Sequence, residues 1–274
     1  MQDFSSDLQL AIEAAKKAGE IIKAGYGNIQ KIDNKDNGTI VTNVDKESEK
    51  AIINILQKKS NYAIYSEEIG NIKGKDGLWV IDPIDGTTNF ARGIPLFCVS
   101  IALMKTTGTD SGQARMTREH TRPEIELGVI YNPVLDDLYF SEKEKGTYLN
   151  KKRIYVSKQQ NLQRSVVFIN SGYSLEDKDR YAQVTKKLVP SCTIRKFGTT
   201  ALELCFVAKG SADAFMSSGD ELYDYAAGLI IVEEAGGKIT DWKENEWDNS
   251  NSFILASNGK IHRELLQNLQ NIQQ

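Results

Sequence analysis

The segment Trp79-Val-Ile-Asp-Pro-Ile-Asp-Gly-Thr-Thr-Asn-Phe90 constrains this chain most, because an apolar run ends in two carboxylates three residues apart and then a Gly-Thr-Thr turn. Trp79 to Ile81 read as a short buried strand. Pro83 fixes its own φ and has no N–H for a ladder, so it is expected to take the chain out of the sheet directly after Asp82. Asp82 and Asp85 are therefore expected on a turn, not on one element. Two crowded carboxylates repel unless one is protonated or a cation lies between them, and a hard cation is the simpler solution. Gly86 permits close approach of the backbone. Thr87 and Thr88 supply hydroxyls and free N–H groups where a helical turn would start, which favours an anion such as phosphate. Alone, these letters also fit an ordinary Asp-Pro turn with a Thr N-cap. Together they point to metal-bridged phosphate chemistry.

Three other stretches bear on the same chemistry. Glu221 to Gly237 reads as a helix that is apolar nearly all round through Ala226, Ala227, Leu229, Ile230, Ile231 and Val232, hence buried, and ended by Gly236 and Gly237 in a left-handed cap. Asp224 falls in its first turn, where an acid complements the helix dipole whatever else it does. The small Ala226, Ala227 and Gly228 let that helix start approach another backbone, so Asp224 can join a metal site. Ala63-Ile-Tyr-Ser-Glu-Glu-Ile69 is an alternating strand that ends in paired acids. Neighbours on a strand face opposite ways, so Glu67 and Glu68 cannot both address one ion unless the strand has already ended. Thr39-Ile-Val-Thr-Asn-Val-Asp45 is a polar strand, with Asp45 placed to begin and cap a helix running to about Lys59.

In order and spacing, Val41–Asp45, Ser66–Glu68, Asp82–Phe90, Gly198–Thr200, Asp224–Gly228 and Glu234–Gly237 resemble the motifs of the inositol monophosphatase family, over most of the chain. The resemblance implies a magnesium-dependent, lithium-sensitive phosphomonoesterase, an α+β layered αβαβα sandwich of the sugar-phosphatase type, and a homodimer. By the family pattern, Glu67, Asp82 and the Ile84 carbonyl oxygen hold the first of two or three magnesium ions, and Asp82, Asp85 and Asp224 hold the second. Thr87 with Glu67 orients the attacking water, Asp45 hydrogen-bonds in the Thr87 region, and the Gly86 and Thr87 amides hold the phosphate. Gly198, Thr199 and Thr200, together with Asp85, Thr88 and Ser217, are expected to face the substrate.

The chemistry is compatible with that assignment. Carboxylates from distant segments make an all-oxygen set that suits magnesium and leaves positions for water and phosphate. Two ions would clamp the attacking and leaving oxygens, so no protein nucleophile is required. His120 and His262 lie near no motif, which counts against a histidine-based phosphatase. Cys98, Cys192 and Cys205 have no metal-ligand spacing and read as core.

Departures from the pattern bear on the substrate. Tyr223 stands before Asp224 where Trp is usual, which keeps an aromatic shelf. Ser217, seven residues before Asp224, aligns with a Glu that touches the inositol hydroxyls in animal enzymes. Inositol monophosphate or a related sugar phosphate is expected, and fructose 1,6-bisphosphate, 3′-phosphoadenosine 5′-phosphate and histidinol phosphate compete. Asp85–Phe90 is closer to the inositol type, since nucleotide-type relatives tend to carry Lys after Gly-Thr. Thr106 to Glu124, with Arg115, Arg118 and Arg122, reads as a solvated loop, with a grip on a second phosphate as the alternative. A binding or regulatory protein on the same scaffold would require a broken ligand set, yet every ligand residue is present.

With 274 residues, the chain is expected to form one catalytic domain, 1–274, of two intimate halves, roughly 1–150 and 164–274, joined by a polar Gln-rich stretch. A net charge of −3 with scattered lysines argues against nucleic acid as the main ligand. No apolar run approaches the ~20 residues of a membrane span. The first residues lack a signal pattern, and three unpaired cysteines suit a reducing cytoplasm. Helices are predicted at Leu8 to about Ala24 and Lys46 to Lys58, then an antiparallel meander to Asn150, then alternating strands and helices to the Asp224 helix.

Overall fold

The computed structural model describes residues 3–29, 31–35, 38–106, 123–248, 252–269 and 272. Its helices are α1 (Ser6–Gly25), α2 (Asn43–Lys59), α3 (Thr87–Ala91), α4 (Leu175–Leu188), α5 (Thr200–Ala208), α6 (Leu222–Glu234) and α7 (His262–Leu269). Strands β1 (Ile32–Asn34) and β2 (Ile40–Thr42) form a ribbon. An eight-stranded sheet comprises β3 (Ala63–Ser66), β4 (Gly70–Ile72), β5 (Leu78–Asp85), β6 (Cys98–Thr106), β7 (Pro123–Asn132), β8 (Asp137–Glu142), β9 (Gly146–Leu149) and β10 (Lys152–Arg153), in the order β10-β9-β8-β7-β6-β5-β3-β4. A five-stranded sheet comprises β11 (Val166–Ile169), β12 (Thr193–Arg195), β13 (Ala214–Ser217), β14 (Lys238–Thr240) and β15 (Ile254–Ser257), in the order β12-β11-β13-β15-β14.

Side-chain alternation explains the layering. On β5 and β6, Trp79, Ile81, Val99, Ile101 and Leu103 pack with α1 and α2, whereas Val80, Cys98, Ala102 and Met104 point to the other face and pack with α5 and α6. The smaller sheet repeats this: Phe168, Phe215 and Ala256 meet α5 and α6, while Val167, Ile169, Met216 and Leu255 meet Val184, Leu188, Leu265 and Leu266 of α4 and α7. Helix α6 lies between two sheets, so it must be apolar all round, and Tyr225 to Val232 are all buried. The result is the expected α+β sandwich of alternating helix and sheet layers. No described helix is long and apolar enough to cross a membrane.

Two local expectations are corrected. Strand β5 does not stop at Asp82 but runs to Asp85, with Asp82 opposite Ser100 and Asp85 opposite Cys98. Two residues thus oppose one, which is a bulge, and a bulge accommodates Pro83 because its residues need not donate to the ladder. The N-cap of α2 is Thr42, not Asp45. The Thr42 hydroxyl accepts from Val44 N at 3.2 Å, while Asp45 at the third helical position accepts from Thr42 N at 2.8 Å, so the pair forms a capping box. The strands β1, β4, β10, β14 and β15 and helix α7 were not anticipated from the sequence. Arg115, Arg118, Arg122 and His120 lie outside the described residues.

Candidate active site

The β5 bulge builds the centre of the site. On a regular strand, residues three apart face opposite sides of the sheet; one extra residue returns Asp85 to the side that Asp82 faces. The first turn of α6 then delivers Asp224. One carboxylate oxygen from each of Asp82, Asp85 and Asp224 lies within 4.8 Å of the others.

Each acid is held from behind. Asp82 Oδ1 accepts from Ile84 N at 2.9 Å. Asp85 Oδ2 accepts from Ala201 N at 2.7 Å and from the Thr199 hydroxyl, and the Cys98 thiol lies 3.7 Å away. Asp224 Oδ2 accepts from Glu221 N at 2.7 Å, which closes the N-terminus of α6. The Tyr223 ring lies 5.6 Å from that of Tyr65.

Glu67 follows β3 directly. The buried Glu49 accepts from the Ser66 hydroxyl and, at 3.1 Å each, from Glu68 N and Ile69 N. That anchor turns the chain as the strand ends, so Glu67 and Glu68 are no longer on opposite faces. Lys35 Nζ donates to Glu67 Oε1 at 2.7 Å and to Glu68 Oε1 at 2.5 Å. After burial, the Glu67 charge is the largest influence that raises the Asp82 carboxyl.

Gly86 has φ +91°, and a Cβ there would lie 2.9 Å from the Leu96 carbonyl oxygen. This glycine starts α3, whose first-turn amides have no intrahelical acceptor. The Thr87 hydroxyl lies 3.0 Å from Asp45 Oδ1 and 2.9 Å from the Ile84 carbonyl oxygen. Thr88 is exposed. Asn89 donates to the Leu96 and Phe197 carbonyls, both at 2.7 Å, and so ties the turn to the other half of the chain.

The expected substrate-facing residues divide by what they touch. Thr199 is committed to Asp85. Thr200 and Ser217 donate to Asp220 Oδ2 at 2.9 and 2.6 Å, and Asn170 donates to Thr200 at 3.0 Å. Gly198 N donates to Glu203 Oε1 at 3.1 Å, as does Phe197 N at 2.5 Å, and Asn170 donates to Glu203 Oε2 at 2.8 Å. Glu49, Lys35, Glu203 and Asp220 were missed from the sequence. Glu203 had a signal: an acid inside the otherwise apolar Thr200–Ala208 helix must be hydrogen-bonded if it is buried, and it is fully buried.

Burial and then mutual repulsion push Asp82 and Asp224 well above the usual carboxylate range. Burial raises Asp85 to about 7 against the lowering effect of Thr199 and Ala201, and raises Asp45 to about 6 against Thr42 and Thr87. A crowd of buried acids is costly unless protons or a cation neutralise it. All-oxygen donors, two buried and one half-buried, converging from two elements, fit a hard divalent cation.

Residues 3–274 match the family model described as inositol monophosphatase family. Over 269 residues the chain is 34% identical to the inositol-1-monophosphatase of Caulobacter vibrioides, covering 94% of this chain and 98% of that one. Over 272 residues it is 33% identical to a Pasteurella multocida protein named Nus factor SuhB, covering 96% of this chain and 95% of that one. The solved structure of extragenic suppressor protein suhB from Bartonella henselae matches with a TM-score of 0.87 at 32% identity, covering 97% of this chain and 99% of that chain.

Proposed function

The chain belongs to the inositol monophosphatase family, and from that premise we propose a magnesium-dependent phosphomonoesterase that hydrolyses a small polyol or sugar monophosphate. The observation that carries this reading is the convergence of Asp82, Asp85 and Asp224 beside the Gly86–Thr88 turn. Asp82, Asp85 and Asp224, with Glu67 and the Ile84 carbonyl adjoining, would hold the cations. Bound ions of this kind lower the pKa of a coordinated water and neutralise charge on the phosphoryl oxygens.

The chain's own residues set the geometry of attack. With Asp45 ionised, the Thr87 hydroxyl proton is committed to Asp45 Oδ1 or to the Ile84 carbonyl. Its oxygen lone pairs are then left to accept from a water and aim it. The turn at Gly86 presents the first-turn amides of α3 to the phosphate. Burial of Asp82 and Asp85 excludes bulk water around the reacting group and strengthens these interactions. A homodimer in the cytoplasm belongs to the same reading.

The test is phosphate release from inositol 1-phosphate, fructose 1,6-bisphosphate, 3′-phosphoadenosine 5′-phosphate and histidinol phosphate, each with magnesium, with EDTA and with added lithium. Magnesium-dependent release that EDTA abolishes is the expected result. Silence from the folded protein across the panel, with magnesium present, would sink the reading.

A second role is suggested by the name Nus factor carried by the Pasteurella multocida relative. Association with transcription proteins would use the outer surface, so a catalytically inactive Asp82→Asn protein should be retained by such partners as well as the wild type. Loss of retention in a folded variant, or no retention at all, would count against it.

A further inference from the structure

Glu67 is the first residue of a tight turn. Strand β3 ends at Ser66, which pairs with Gly70 of β4, so Glu67, Glu68 and Ile69 alone close the hairpin. Gly70 has φ +78°, the left-handed conformation with which such loops usually finish. A hairpin loop is a poor seat for a metal ligand, because few neighbours on its own element restrain it. One tie runs to β5, from Glu67 N to the Ile81 carbonyl oxygen at 3.2 Å. A second restraint on the turn's backbone comes from Glu49.

Glu49 lies in α2, is 1% exposed, and is not one of the three acids that converge. Its Oε1 accepts from the Ser66 hydroxyl and from the Glu68 and Ile69 amides, both at 3.1 Å; among the described residues no donor meets Oε2. The carboxylate thus plugs the turn from inside, gripping the two amides that follow Glu67. Asp45 and Ser48 share this face of α2, by the helical spacing of 45, 48 and 49. Asp45 Oδ1 accepts from the Thr87 hydroxyl at 3.0 Å, and Ser48 donates to the Pro83 carbonyl oxygen in the bulge at 3.4 Å. All three side chains are buried. One face of one helix therefore touches the turn of Glu67, the bulge between Asp82 and Asp85, and Thr87. Buried polar groups return little stability compared with apolar ones of similar size, so a stripe of three in a core-facing helix points to positioning.

Resting on the phosphatase reading above, we propose that Glu49 is a positioning residue for the divalent cation: it sets where Glu67 stands, and so governs the affinity for an ion it does not touch. The grip is one of hydrogen bonding and not of charge, since all three donors meet a single oxygen that a glutamine amide also has. Without it the turn relaxes, and Glu67 and its neighbour Glu68 lose their fixed directions relative to Asp82. Removing supporting groups of this kind costs about tenfold to a hundredfold in metal affinity.

The experiment is calorimetric titration of the substrate-free protein with magnesium, below every melting transition, alongside phosphate release from inositol 1-phosphate. Wild type is compared with Glu49→Ala, Glu49→Gln, Glu49→Asp and Ile52→Ala. Glu49→Ala should weaken magnesium binding at least about tenfold. Glu49→Gln should stay within about threefold of wild type, because its side-chain oxygen accepts from the same donors. Ile52→Ala, a fully buried truncation in the same helix, should lower the melting temperature and leave magnesium affinity unchanged. Wild-type affinity in a folded Glu49→Ala protein overturns the inference. An equal loss in Ile52→Ala also overturns it, since general loosening of α2 would then suffice, and so does a Glu49→Gln protein as weak as Glu49→Ala, since charge would then be at work. If Glu49→Ala does not fold, Glu49→Asp decides: its carboxylate is drawn back from both amides by one methylene, and undiminished magnesium affinity there overturns the inference. A wild type that neither binds magnesium nor releases phosphate removes the phosphatase reading itself; magnesium binding that no Glu49 variant alters removes only this inference.

Discussion

Thr199 donates its hydroxyl to Asp85 Oδ2, joining residues that lie 114 positions apart in sequence. The Thr199 hydroxyl oxygen in turn accepts from Leu202 N at 3.4 Å, so Thr199 caps α5 and clamps the bulge of β5 at once. Thr199→Val keeps the volume and loses both bonds. We expect the magnesium concentration for half-maximal activity to rise about tenfold and stability to fall by about 1–3 kcal/mol. Magnesium titration of phosphate release and urea unfolding would read the two effects, and a variant unaltered in both would show that Asp85 does not depend on Thr199.

Asp82→Asn should act in opposite directions with and without metal. Removing one charge from a buried group of repelling acids should raise the melting temperature in EDTA. Turnover should drop more than tenfold and the stabilisation given by magnesium should vanish. Thermal melts in the two buffers, with a phosphate assay, would check this. Retention of more than a tenth of normal activity would contradict the assignment of Asp82 as a shared ligand.

Gly86→Ala places a side chain where φ is +91° and the Leu96 carbonyl oxygen is 2.9 Å from the new Cβ. The strain should cost more than about 1 kcal/mol and displace the turn that carries Thr87. Activity should therefore fall further than stability alone explains. Chemical unfolding alongside kcat/KM separates the two, and full activity in the variant would refute the need for this backbone conformation.

His262 lies between the Thr240 hydroxyl at 2.9 Å and the Ser257 hydroxyl at 2.8 Å, and burial lowers its pKa to about 4. The unfolded chain takes up this proton near the ordinary value of 6.5, so it binds more protons than the fold between the two values. The contribution to stability is fully present above 6.5, declines as pH falls, and has lost about 3 kcal/mol below about 4. His262→Gln should unfold with a shallower pH dependence across that window. Parallel curves for variant and wild type would show that His262 does not carry this dependence.

Much of the fold was legible because its signals were local. The buried helix α6 and the strands of the meander announce themselves through unbroken or alternating apolar residues, and the acids at their ends follow. The bulge was not legible, since proline after Asp82 can equally leave a sheet or sit in its irregularity; only pairing with Ser100 and Cys98 decides which. Lys35, Glu49 and Asp220 escaped for a related reason. Each is an ordinary charged letter whose importance lies in a partner elsewhere: Glu67 for Lys35, the Glu68 and Ile69 amides for Glu49, Ser217 and Thr200 for Asp220. No periodicity encodes such pairs. Glu203 differs, because its charge inside an apolar helix already demands a partner.

Helix α6, packed against the large sheet on one side and the smaller one on the other, carries Asp224 at its leading end. The three acids therefore meet only when that helix has docked on the large sheet, whose strand β5 carries Asp82 and Asp85. A chain emerging from the ribosome presents Asp82 and Asp85 long before Asp224 exists, and no partly made chain has the complete ligand set. The electrostatic penalty of gathering the acids falls on the last stage of folding, and so does its relief by a cation. Magnesium in the medium should thus slow unfolding more than it speeds the early steps of refolding.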